Sequence, residues 1–176
     1  MSSALLPALQ RELCTAGLAV LRFNFRGAGR SEGSHDEGRG ETDDALAALG
    51  EVEAIADAGA SIAVAGWSFG ATIAMHAALR DPRVSAAIGL AMPVAAHLDT
   101  RLIEAPAPAT MGRWGGAVLM ITAGEDRIAS PQAAAAWARD AGGRVETIDG
   151  SDHFFTGRFA DVAKVMIEFL RRPAVE

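Results

Sequence analysis

The sequence is poor in cysteine and in long apolar runs. Its one cysteine, Cys14, excludes a disulfide within the chain and is typical of a reducing compartment. The longest nearly apolar stretch, 86–96, is too short to span a bilayer and contains Pro93. Residues 2–9 lack the basic start of a secretory signal peptide. We therefore expect a cytoplasmic protein that does not dock on membranes.

Basic residues are also scarce. The 16 Lys and Arg residues against 22 Asp and Glu residues give a formal net charge of −6, whereas nucleic-acid-binding proteins usually carry a basic stripe. His35, Asp36 and Glu41 follow no metal-ligand spacing. The glycines of residues 27–33 are followed by a polar loop, whereas a dinucleotide site needs a helix directly after its glycines. We expect no nucleic-acid partner, no metal and no cofactor.

What the sequence does contain is a regular alternation of short apolar segments and helical patterns. This alternation is typical of an α/β fold with a mainly parallel central sheet and helices on both faces, and the length corresponds to one domain, 1–176. The segment 61–65 is apolar enough for burial on both faces of the sheet, and Thr42 is a candidate helix cap. The patterns predict helices at 4–16, 41–58, 71–80, 131–141 and 158–172, and strands at 18–25, 61–65, 84–92, 117–122 and 144–148.

The segment Gly66-Trp67-Ser68-Phe69-Gly70 has the G-x-S-x-G pattern between a predicted strand and a predicted helix. This is the context of a nucleophile elbow, a strained turn that exposes a serine hydroxyl above the sheet. Gly66 and Gly70 would let the strand and the helix pass closely, because neither has a Cβ atom. The N–H of Phe69 would start the helix and could stabilise an oxyanion.

Three reactive side chains follow three predicted strands. Ser68, Asp126 and His153 each lie just past a strand end, where ligands bind in parallel sheets. A serine needs a neighbouring base, and the base needs a carboxylate that orients it. We predict Ser68 as nucleophile, His153 as base and Asp126 as the acid, with Glu125 as the alternative acid and Asp152 directed elsewhere.

Two further residues are candidates for substrate binding. Trp67 flanks the predicted nucleophile, where it either packs in the core or forms a wall of the acyl pocket. His97 follows the predicted third strand and could line the same pocket.

The chain resembles the α/β-hydrolase superfamily, and more narrowly small lidless bacterial hydrolases related to dienelactone hydrolase. The resemblance is carried by residues 21–33, 66–71, Asp126 and 152–158. It implies hydrolysis of esters, thioesters or related acyl compounds of small size by Ser68, Asp126 and His153, without a cofactor. The fold alone does not fix the substrate.

One feature implied by the resemblance is missing. Family members have strands before the first helix, the last of which leads to a loop that supplies a second oxyanion N–H. The slot of that strand lies between segments 18–25 and 61–66. Either these segments pair directly, or a partner fills the slot, or the chain is an N-terminally shortened piece of a longer protein, which we favour. A non-catalytic scaffold or binding module is the alternative function. The oligomeric state stays open, a homo-oligomer included.

Overall fold

The computed structural model describes residues 4–94 and 102–171. None of the helices within these residues is long and apolar enough to cross a membrane. In chain order the regular elements are α1 (Leu5–Thr15), α2 (Arg39–Ile55), β1 (Ile62–Trp67), α3 (Phe69–Arg80), β2 (Val84–Leu90), α4 (Pro108–Gly112), β3 (Ala117–Ala123), α5 (Pro131–Asp140), β4 (Arg144–Ile148) and α6 (Phe159–Leu170).

The strands of the described residues form one parallel sheet in the order β1-β2-β3-β4. Each pair of neighbouring strands is joined by a helix, as parallel pairing requires. All four strands therefore end at the same edge of the sheet. The register places Gly66 beside Gly89 and Gly89 beside Met120, so the ends of β1, β2 and β3 are level.

Helices cover both faces of the sheet, which confirms the predicted fold class. On one face, α2, α3 and α5 pack against a core that includes Leu49, Met75 and Trp137. On the other face, α1 and α6 bury Leu9 and Met166 against β2 and β3. β3 is the most deeply buried strand, because only its first residue is exposed.

The start of α2 differs from the prediction. The helix begins at Arg39 after Gly38, and not at Glu41. Thr42 is no cap, because its hydroxyl donates to the carbonyl of Gly38 from within the first turn. The buried carboxylate of Glu41 caps the helix instead, accepting from the N–H groups of Asp36 and Gly38 at 2.9 and 2.8 Å. The hydrogen bond from the Gly38 N–H to the Glu41 carboxylate is one half of a capping box.

Glu41→Gln is expected to destabilise the protein by about 2 kcal/mol at neutral pH. Burial raises the pKa of Glu41, but the N–H groups of Asp36 and Gly38, helped by His35, outweigh it and hold that pKa below its usual value. The ionised carboxylate therefore stabilises the fold above its unfolded-state pKa of about 4.3, and this contribution disappears as the pH falls through the lower folded-state pKa.

Urea unfolding at several pH values measures this effect. The difference between wild type and Glu41→Gln should shrink in acid, whereas Glu51→Gln, at an exposed position of the same helix, should behave like wild type throughout. A Glu41→Gln effect that is independent of pH would contradict the assignment.

The predicted strand at 18–25 is wrong, and so is direct pairing of this segment with β1. Residues 18–25 form no strand, because no described strand lies close enough to pair with them. A groove of about 470 Å³ separates residues 18–22 from β1. β1 is therefore an edge strand, and Ala63 and Ala65 are exposed although the sequence predicted burial on both faces.

Candidate active site

Ser68 lies in a sharp turn between β1 and α3. Its backbone has φ 54° and ψ −124°, a conformation that side chains other than glycine rarely adopt. The turn is held by hydrogen bonds from the Ser68 N–H to the carbonyl of Leu90 at 2.8 Å and from the Ala71 N–H to the carbonyl of Ser68 at 2.9 Å. The strained serine thus stands where the sheet ends and the helix begins, as the motif predicts.

The close passage of strand and helix depends on one of the two glycines. A Cβ atom at Gly66 would lie 1.9 Å from the carbonyl oxygen of Gly70, which is a backbone atom that cannot move aside. A Cβ atom at Gly70 would meet nothing nearer than Phe25, at 4.0 Å. The predicted role in the close approach is therefore confirmed for Gly66 and wrong for Gly70.

Gly66→Ala is expected to lower the free energy of unfolding by about 3 kcal/mol, because β1 and α3 must separate to admit the methyl group. The matched control is Gly50→Ala in α2. No atom lies within 4 Å of the added Cβ there, so the better helix propensity of alanine should stabilise the protein by about 0.5–1 kcal/mol. Chemical denaturation of both variants checks the opposite signs. Equal effects would contradict the packing argument.

His153 bridges Ser68 and Asp126. Its Nε2 lies 2.9 Å from the Oγ of Ser68, and its Nδ1 lies 2.8 Å from the Oδ2 of Asp126. The imidazole and the Asp126 carboxylate are almost fully buried, with exposed fractions of 6% and 1%. Because an ionised carboxylate only accepts, Nδ1 carries the proton and Nε2 is left to accept from the serine hydroxyl. The three side chains form one continuous hydrogen-bonded chain.

The turn after β3 holds Asp126 in place. Its Oδ1 accepts from the N–H groups of Ile128 and Ala129 at 2.7 and 2.9 Å, which leaves Oδ2 for His153. The alternative acid, Glu125, is exposed and makes no such contact with His153. The turn therefore presents Asp126, and not Glu125, to the imidazole.

Asp152 is directed away from the imidazole. Its carboxylate accepts from the N–H groups of Thr156 and Phe154 and from the Thr156 hydroxyl. The hydrogen bond from the Thr156 N–H is the main reason why the pKa of Asp152 lies below its usual value, although burial opposes it. Asp152 thus shapes the loop that carries His153.

Two aromatic rings enclose the imidazole. Trp67 and Phe154 have ring centroids 5.5 Å from that of His153, and 5.4 Å from each other. The indole N–H of Trp67 donates to the carbonyl of His153 at 2.8 Å. The sequence did not reveal this bond, because it joins residues 86 positions apart. The role of Phe154 was missed too, and its position directly after His153 was the only available signal.

Trp67→Phe is expected to destabilise the protein by about 1 kcal/mol, because the carbonyl of His153 loses its donor while the ring contacts persist. If Trp67 positions His153, kcat for an ester should fall. If Trp67 forms a wall of the acyl pocket, KM should rise instead. Trp114→Phe, before the amino end of β3 and so at the opposite edge of the sheet, is the control. An unchanged kcat would contradict the positioning role.

Phe69 and His97 are the remaining predicted site residues. Phe69 is the first residue of α3, so its N–H is one of those that a helix cannot satisfy with its own carbonyls. Its ring contacts that of His35 at 5.4 Å. His97 lies outside the described residues. Within the described ranges, no group of His, Cys, Asp or Glu side chains could hold a metal ion.

One curated protein is similar to part of the chain. An uncharacterized protein from Rickettsia prowazekii is 42% identical over 78 residues, which are 44% of this chain and 33% of that protein. The matched segment thus spans only a third of the curated relative.

Solved structures match along nearly the whole chain. An alpha-beta serine hydrolase homologue from Coxiella burnetii is 29% identical with a TM-score of 0.79, over 97% of this chain and 77% of that one. A serine hydrolase without a lid from Xanthomonas campestris is also 29% identical, with a TM-score of 0.78, over 100% of this chain and 77% of that one. The family model for the alpha/beta hydrolase fold matches residues 1–113, more than half of the sequence. The chain therefore belongs to the alpha/beta hydrolase fold family.

Proposed function

We propose that this chain is a serine hydrolase that cleaves esters, thioesters or related acyl compounds through an acyl-enzyme on Ser68. The observation that carries the proposal is the hydrogen-bonded chain from Asp126 through His153 to Ser68. Similarity to a serine hydrolase homologue from Coxiella burnetii and to a serine hydrolase from Xanthomonas campestris supports the reaction class.

The proposed reaction begins with transfer of the acyl group to Ser68. His153 Nε2 takes the hydroxyl proton as Ser68 Oγ attacks the carbonyl carbon of the substrate. The carbonyl oxygen gains negative charge, which the N–H of Phe69 stabilises at the start of α3. Collapse of this intermediate breaks the bond to the leaving alcohol or thiol, which receives the proton from His153.

The second half of the reaction regenerates the serine. Water attacks the carbonyl carbon of the acyl-enzyme while His153 removes a proton from it. The tetrahedral intermediate then collapses by breaking the bond from carbon to Ser68 Oγ, which takes the proton back from His153, and the carboxylic acid leaves. Asp126 stabilises the imidazolium in both halves and keeps its ring in one orientation. The almost complete burial of the Asp126 carboxylate strengthens this interaction, because water does not screen it.

The surroundings of Ser68 favour a substrate with an apolar part. Phe69 follows the nucleophile, and Phe154, with 43% of its surface exposed, lies beside His153. We propose that these rings contact the acyl or leaving group and that Trp67 acts mainly through His153. The net charge of −6 does not favour a nucleic-acid partner.

Turnover of p-nitrophenyl acetate and of a matched thioester tests the proposal. Wild type should hydrolyse at least one of them, and Ser68→Ala should reduce kcat/KM by about 10⁴-fold or more. Ser31→Ala removes a half-buried hydroxyl that donates to the carbonyl of Asn24, and it should leave the rate unchanged. A folded wild type without turnover would favour the scaffold or binding-module alternative, for which the exposed edge of β1 is the supporting observation.

A further inference from the structure

The loop that carries His153 has no support from regular secondary structure. Residues 149–158, between β4 and α6, form neither helix nor strand, and Gly150 and Gly157 have positive φ angles. An irregular loop keeps one conformation only where further contacts offset the entropy that is lost on ordering it. The position of the His153 imidazole therefore depends on the contacts that hold this loop.

The part of the loop before His153 is fixed to the turn that carries Asp126. The carbonyl of Ser151 accepts from the N–H of Glu125 at 2.9 Å. Ser151 is buried, and its hydroxyl donates to the carbonyl of Ile148 at 2.6 Å. These bonds join the loops of the acid and the base on the side of β4. They do not fix the residues that follow His153.

The part of the loop after His153 is held by Asp152. Its Oδ1 accepts from the N–H groups of Phe154 and Thr156 at 3.1 and 3.0 Å, and its Oδ2 accepts from the Thr156 hydroxyl at 3.0 Å. Its backbone carbonyl accepts from the N–H of Phe155 at 2.9 Å. All three residues that follow His153 therefore donate to the residue that precedes it.

One of these three residues has a strained backbone. Phe155 has φ 53°, a conformation that is rare for a bulky side chain, and its ring is completely buried in the core beside α1 and α6. Asp152 accepts from the N–H of Phe155 and from those on either side of it. Without these bonds Phe155 can relax to a negative φ, and that rotation displaces His153, two residues earlier.

We infer that Asp152 is a positioning residue, whose carboxylate holds the loop so that the imidazole of His153 lies between Ser68 and Asp126. Asp152 does not contact the reacting atoms, because its carboxylate bonds to Phe154 and Thr156. The inference rests on the proposed function, in which His153 is the base. The position of the imidazole can nevertheless be measured without a substrate.

Steady-state kinetics with p-nitrophenyl acetate tests the inference. Asp152→Ala should lower kcat about 10- to 100-fold and leave KM within about twofold, because a small displacement of the base slows proton transfer without removing a substrate contact. Asp149→Ala, at an exposed position of the same loop, is the control and should keep kcat within about twofold. Circular dichroism should show that each variant is folded at the assay temperature.

Asp152→Asn separates position from charge. The amide oxygen can accept from both N–H groups, and the amide NH₂ can donate to the Thr156 hydroxyl, so the loop should persist without the negative charge. This variant should therefore keep kcat within about threefold of wild type. An equal loss of kcat in Asp152→Asn and Asp152→Ala would show that the charge acts on the imidazole directly and would overturn the inference.

Proton NMR reports the position of His153 independently of turnover. The Nδ1–H of His153 donates to the buried Asp126 carboxylate at 2.8 Å, so its proton should resonate far downfield and exchange slowly. His153→Ala identifies the signal by its loss. Wild type and Asp152→Asn should show the signal, whereas Asp152→Ala should lose it. A wild type without the signal, or an Asp152→Ala variant that keeps both the signal and the activity, would contradict the inference.

Two further outcomes are also decisive. If Asp152→Ala does not fold, Asp152→Glu replaces it, because the longer side chain keeps the charge but moves the acceptor atoms. Loss of kcat and of the downfield signal in Asp152→Glu would support the inference, and wild-type behaviour would refute it. If the folded wild type hydrolyses no ester, the proposed function fails, and the NMR comparison of the variants decides whether Asp152 positions His153.

Discussion

His153→Ala is expected to reduce kcat/KM for an activated ester by about 10⁴-fold or more. Without the imidazole, nothing removes the proton from Ser68, to which Nε2 is bonded at 2.9 Å. The leaving group also loses its proton donor. Steady-state kinetics with a p-nitrophenyl ester measures the loss.

The control for this variant is His76→Ala. His76 lies on α3 and bonds through Nε2 to the carbonyl of Glu104, without contact to the Asp126–His153–Ser68 chain. Its replacement should leave kcat/KM within about twofold. Circular dichroism should show that both variants are folded. A folded His153→Ala variant with the activity of wild type would eliminate His153 as the base.

Asp126→Asn is expected to reduce kcat by about 10³- to 10⁴-fold with little effect on folding. The amide oxygen can still accept from Ile128 and Ala129, so the turn should persist. The group that faces Nδ1 then carries no charge to stabilise the imidazolium. If its NH₂ faces the ring, it also favours the tautomer that cannot deprotonate Ser68.

Glu125→Gln is the matched control, since it makes the same chemical change one residue earlier, at an exposed position. This variant should retain the activity of wild type. The reverse result, an inactive Glu125→Gln and an active Asp126→Asn, would show that the turn presents the other carboxylate during catalysis.

The arrangement at the strand ends was predictable because it follows from simple rules of parallel sheets. Ser68, Asp126 and His153 follow β1, β3 and β4, and parallel strands end at one edge. The order of the residues and the assignment of the strands were therefore enough to predict that the three side chains lie close together. The choice between Asp126 and Glu125 needed the turn itself, because adjacent residues of a loop point in different directions.

The errors arose where a local pattern depended on distant partners. Residues 18–25 are apolar enough for a strand, but a strand also needs a hydrogen-bonded neighbour, and the groove beside β1 leaves none. Thr42 has a side chain that can cap a helix, but it is the carboxylate of Glu41 that accepts from the N–H groups of Asp36 and Gly38. The bond from Trp67 to His153 depends on how β1 and the loop after β4 approach each other, which neither segment encodes alone.

Several predictions from the sequence await their own tests. These are the single domain over 1–176, the closer similarity to dienelactone hydrolase, and the substrate contacts of Trp67 and His97. The second oxyanion donor that the resemblance implies also needs a test. Loss of one such donor lowers the rate about a hundredfold or more. The absolute rate of the wild type on an activated ester therefore tests for the second donor, which the ratios between variants do not.

The most direct test of the central claim is covalent labelling with a fluorophosphonate, followed by mass spectrometry of the labelled peptide. An assembled site should form one adduct, on the Oγ of Ser68. Ser68→Ala should give none, and His153→Ala should react far more slowly. A chain that is folded by circular dichroism but unlabelled, or labelled at a residue other than Ser68, would contradict the proposed hydrolase.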